Sequence, residues 1–82
     1  MNTYRVETTE SGDQVIFFEN KAELLAYCLC EDVEIENGVC KISGICDEPT
    51  ALLDQALAAI SRGQGKYIVL RSNGHSDVDG SY

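Results

Sequence analysis

Four carboxylates fall within six residues of this chain, Glu31, Asp32, Glu34 and Glu36. Such a run has three chemical uses: it can cage a cation, work as an acid–base pair, or present negative charge to a partner. An acid–base pair needs two different environments, so that one carboxyl keeps its proton while the other loses it. Alternate residues of an exposed strand share one environment, which argues against catalysis. A solvated face or a recognition surface remains. Asp47 and Glu48 follow beyond the next strand, and the candidate partner-binding set is therefore Glu31, Asp32, Glu34, Glu36, Asp47 and Glu48.

The other reactive residues carry less. Cys28, Cys30, Cys40 and Cys46 would have to hold zinc with one and five residues between paired ligands, where fingers and ribbons use two to four. No secretion leader precedes them, so a disulfide framework is not expected either, and they read as small buried hydrophobes. Asp77-Val78-Asp79-Gly80 begins like a calcium loop, but the chain ends before the downstream glutamate such a loop needs. His75 lies in a polar turn near Ser72, Ser76 and Asp77 with no nucleophile turn around it. Gly63-Gln64-Gly65-Lys66 runs from helix to strand, the reverse of a phosphate loop, and reads as a turn. No catalytic residue, cofactor or metal site is expected, and the chain reads as a protein other than an enzyme.

The elements that position the acids are legible. Asn37-Gly38 between two alternating runs signals a two-residue hairpin turn. The register that follows sets Glu36 opposite Val39, Ile35 opposite Cys40, Glu34 opposite Lys41 and Val33 opposite Ile42. Val33, Ile35, Cys40 and Ile42 then face the core, while Asp32, Glu34 and Glu36 face solvent with Val39 and Lys41. Before this hairpin, strands are expected at 3–8 and 14–19, then a helix over 21–30 capped by Asn20 and Glu23. After it, Asp47-Glu48-Pro49 reads as a helix start, with an apolar stripe of Leu52, Leu53, Ala56, Leu57 and Ile60 and a stop at Gly63. Residues 66–71 form a last strand. The expected fold is a single α+β domain over 1–74, in the order ββαββαβ, with an antiparallel or mixed sheet and two helices packed on one face. Residues 75–82 form a polar tail or a short edge strand, since Asn73-Gly74 is a second turn signal.

Charge narrows the partner. The 82 residues carry fourteen Asp and Glu against six Lys and Arg, a net charge of −8. That field repels nucleic acid and anionic membranes and attracts basic proteins. With no leader and no apolar run long enough to span a bilayer, the cytoplasm is the expected compartment. Tyr4, Tyr27, Tyr67 and Tyr82 are candidates for partly exposed apolar anchors. An acidic face that replaces nucleic-acid phosphates would compete for a basic channel. In size, charge and layout the chain resembles the small acidic anti-CRISPR proteins of phages and mobile elements; the acidic hairpin EDVEIENG and the unit ALLDQALAAISRGQGKYIVL carry that resemblance. It implies an inhibitor of a CRISPR effector complex acting in the host cytoplasm, and it assigns no residue a role. An immunity protein or antitoxin capping a basic nuclease would share this acidity, and a non-catalytic assembly subunit would use it for solubility.

Overall fold

The computed structural model describes residues 3–48 and 50–82. Three hairpins lie side by side: β1 (Thr3–Thr8) with β2 (Gln14–Phe17), β3 (Asp32–Glu36) with β4 (Val39–Ser43), and β5 (Gln64–Leu70) with β6 (Ser76–Ser81). They join through β4 to β1 and β2 to β5 into one six-stranded sheet of order β3-β4-β1-β2-β5-β6, antiparallel throughout. Helices α1 (Lys21–Leu29) and α2 (Ala51–Ser61) interrupt the hairpins and cover one face. The fold is α+β, as expected, and the C-terminal segment forms an edge strand.

Local chemistry sets most boundaries. Asn37 and Gly38 both take positive φ, at 53° and 76°, and the β3–β4 register is the expected one at every position. Asn20 accepts the Glu23 amide at 3.0 Å, while the Glu23 carboxylate accepts the Glu19 amide at 2.7 Å. The second helix begins later than Asp47-Glu48-Pro49 suggests. Thr50 is its cap: its backbone is extended and its Oγ1 accepts the Leu53 amide at 3.0 Å, which gives one unpaired helix donor a partner. Pro49 lies outside the described residues. Strand β2 stops at Phe17, although the Phe18 amide still reaches Lys66 at 2.9 Å. Strand β5 begins at Gln64, so the expected turn there is already sheet. Gly65 makes this possible, because its φ is 110° and a Cβ would stand 2.7 Å from Leu24 Cδ2.

The core lies between the helices and β1, β2 and β5, with Ile16, Phe18, Leu24, Cys40, Ala56, Ala59 and Ile68 fully or almost fully buried. Tyr4 and Tyr27 belong to it too, packed on Phe18 at ring distances of 5.0 and 5.7 Å. Burial raises both phenol pKa values. These two tyrosines are core residues and cannot serve as exposed anchors.

Two core expectations fail for a geometric reason. Five strand spacings of ~4.8 Å make the sheet ~24 Å wide, more than two helices ~10 Å apart can cover. The helices approach β5 and β6 most closely, so the outer strand of the far hairpin overhangs and Val33 is 43% exposed. Helix α2 turns its alanines to the sheet, with Ala56 and Ala59 fully buried, because small residues let the backbones approach. Leu57 stands ~100° from Ala56 around the helix and is 50% exposed. Ile35, Ile42, Leu52, Leu53 and Ile60 are half-buried against the core.

Helix α2 also closes one edge of the sheet. Gln55 Oε1 accepts the Val78 amide at 2.6 Å, and its Nε2 donates to the Ser76 carbonyl at 3.2 Å. Arg71 and His75 form a hydrogen-bonded pair of the β5–β6 ladder, so the groups of Ser76 and Val78 point away from β5. One glutamine therefore stands where a seventh strand would pair.

Candidate functional site

The uncovered face of the sheet brings three of the six expected residues together. Asp32, Glu34 and Glu36 project from β3 on this face beside Lys41 and Val39 of β4, all exposed. Glu34, Glu36, Val39 and Lys41 line a shallow depression of about 280 Å3 with Asn37. Among the described residues none of these three acids forms a salt bridge, whereas the other cations of the face are engaged. Arg5 pairs with Glu7 at 2.9 Å, and Arg71 holds Asp77 at 2.9 Å and Asp13 at 3.3 Å. The Ser72 amide and Arg71 stabilise the charged form of Asp13 and lower its pKa.

One row of side chains crosses all six strands. Glu36, Val39, Arg5, Phe17, Tyr67 and Asp79 follow one another through the register. Arg5 Cζ lies 4.2 Å above the Phe17 ring, and Phe17 meets Tyr67 at 5.7 Å, so the centre of the row is a cation–aromatic stack. Carboxylates end it on both sides. The neighbouring row, Glu7, Val15, Val69 and Asp77, repeats the pattern of apolar centre and acidic ends. Val69 is only 8% exposed on a face that carries no helix, which shows how closely this centre packs. Tyr67 also covers Gly80, where a Cβ would come within 2.5 Å of its ring.

The remaining expected residues lie elsewhere. Glu31 packs against Gly44 at the base of the hairpin, and its amide donates to Ser43. Asp47 and Glu48 are exposed in the segment between β4 and α2. Tyr67, an expected anchor, is half-buried in this row, and the residues missed in sequence are Arg5, Phe17 and Asp79. Their signal was the alternation of β1 and β2, but only the pairing of β2 with β5 sets them in one line.

The thiols and the histidine offer no comparable assembly. No group of three or more His, Cys, Asp or Glu residues is placed to hold a metal among the described residues. Cys28 and Cys40 are buried, and burial pushes their pKa values up to about 11. Cys30 donates to the Tyr27 carbonyl at 3.0 Å. His75 is exposed in the β5–β6 turn. Among the described residues no helix is long and apolar enough to cross a membrane. No family model matches the chain, and no curated protein or solved structure matches it.

Proposed function

We propose that this protein is a non-catalytic binding protein that lays its open sheet face on a basic surface of a partner protein and blocks that surface. The observation that carries the proposal is the row from Glu36 to Asp79, an aromatic centre with carboxylates at both ends. Interfaces that bind well have this anatomy, with large side chains central and charges at the rim. Acids on neighbouring positions of one strand face lie ~7 Å apart, close to the phosphate spacing of a nucleic-acid strand. A protein channel that grips nucleic acid would meet in Asp32, Glu34 and Glu36 the charge pattern it is built for. The resemblance to anti-CRISPR proteins supplies the first partner to try, a CRISPR effector complex in the host cytoplasm. A basic nuclease held by an immunity protein or antitoxin is the second.

The test is competition with DNA for purified effector complexes and nucleases, using the native chain and a Glu34→Lys, Glu36→Lys double variant. Both side chains are exposed, so the variant should fold, with circular dichroism as the control. Its affinity should fall at least roughly tenfold, mainly through a slower on-rate, and depend less on salt. A folded variant with undiminished affinity would remove the acidic face from the interface.

A further inference from the structure

The geometry of the two sheet edges points to strand addition at β3, by an extended partner segment that alternates basic with apolar residues. The inference rests on the reading of a basic protein partner and deepens it by naming the form that partner takes.

An open sheet has two edges, and here they differ. At β6 the outward groups of Ser76 and Val78 are taken by Gln55. Among the described residues nothing comparable stands at β3, and β4 is its only strand neighbour. The two-residue turn makes Glu36 and Val39 a hydrogen-bonded pair, so Glu34 and Lys41 are the next such pair. Val33 and Ile35 therefore direct their amides and carbonyls away from β4, into the space beside the sheet. The β4–β1 side agrees, since Val6 donates to Gly38 at 2.8 Å on the opposite edge of the hairpin. A shallow groove of about 470 Å3 lies where the start of β3 pairs with the end of β4, lined by Asp32, Val33, Glu34, Lys41, Ile42 and Ser43.

Side chains specify what fits. A strand added to β3 sets its residues opposite Asp32, Glu34 and Glu36 on one face and opposite Val33 and Ile35 on the other. The first set calls for Lys or Arg. The second calls for apolar residues, which would cover the overhanging Val33 that the helices leave open. A second copy of the chain does not fit. Every antiparallel register that joins the free groups of Val33 and Ile35 to their copies keeps odd residues opposite odd and even opposite even. Carboxylates of residues 32, 34 and 36 would then face one another, which destabilises a pair. Charge complementarity selects a basic partner strand.

Two blocked nine-residue peptides test the inference, one alternating lysine with valine and one with the same residues in two blocks. Each is titrated into the labelled full chain, and amide exchange is followed at Val33 and Ile35. The alternating peptide should bind at least roughly fivefold tighter than the block peptide and slow exchange at both amides. A chain with N-methylated Val33, assembled by ligation, should lose at least roughly fivefold in affinity for it while folding normally. Val33→Pro should act likewise, because the amide it removes faces outward. Equal binding of the two peptides, without slowed exchange and indifferent to N-methylation, would overturn strand addition and leave a basic-surface partner standing. Failure of both peptides while effector complexes still bind would also overturn it. Failure of peptides and basic proteins alike would overturn both. Dimerisation of the free chain with Val33 and Ile35 already protected would replace the partner strand with a second copy.

Discussion

Leu24→Ala and Leu57→Ala make the same chemical change at opposite ends of the burial scale. Leu24 is fully buried and packs on Gly65, whereas Leu57 is 50% exposed. Removing the Leu24 side chain forfeits its transfer from water and leaves a cavity that the sheet cannot close, a loss of ~2–5 kcal/mol. At Leu57 about half the transfer is lost, no cavity forms, and alanine's higher helix propensity offsets part of it, so the cost is about 1 kcal/mol or less. For an 82-residue domain each kcal/mol moves the melting temperature by ~4–8 °C. Thermal melts should therefore fall by at least ~8 °C for Leu24→Ala and by no more than ~8 °C for Leu57→Ala. Urea titrations with unchanged slopes would confirm that the difference lies in the folded state. Costs within about 0.5 kcal/mol of each other would refute the assignment of the alanine face of α2 to the core.

Gln55→Ala leaves the Val78 amide and the Ser76 carbonyl without their side-chain partner. It should cost about 1–2 kcal/mol and speed exchange of the Val78 amide in hydrogen-exchange measurements. The Cys28 and Cys40 thiols should resist an aromatic disulfide reagent at pH 8 in the folded protein and react on unfolding. Their folded pKa values, raised by burial to about 11, mean that their contribution to stability is fully present below about 9 and is lost as pH rises through about 11.

The hairpin of acids was legible because a two-residue Asn-Gly turn leaves one register, and alternation then assigns every side chain to a face. Helix α2 was legible as a helix but not as a face. Leu52, Leu53, Ala56, Leu57, Ala59 and Ile60 span a broad apolar arc, and periodicity alone cannot say where the sheet will touch it. Close approach favoured the alanines, and Leu57 turned outward. Val33 was misplaced because its burial depends on the lateral position of the helices, which only long-range packing decides. Gln55 carried a weak local signal, a polar residue within an apolar helix, and its role needed the strand order to be seen. The row from Glu36 to Asp79 was hidden for the same reason: it joins strands from three separate hairpins.

The clip at Gln55 bears on how this chain behaves when crowded. Copies that joined β3 of one to β6 of the next would repeat head to tail, and such a contact stays open unless the rotation between copies closes it into a ring. The open product would be a ribbon growing without limit. Two obstacles stand at that joint. Gln55 fills the hydrogen-bonding positions on the β6 side. Asp77 and Asp79 lie on the same sheet face as Asp32, Glu34 and Glu36, so the seam would set acid against acid. The two obstacles answer to different conditions. Acid neutralises the second and leaves the first, whereas loosening α2 removes the first and leaves the second. Runaway growth requires both failures together, which places the hazard in acidic conditions that also soften the helix layer.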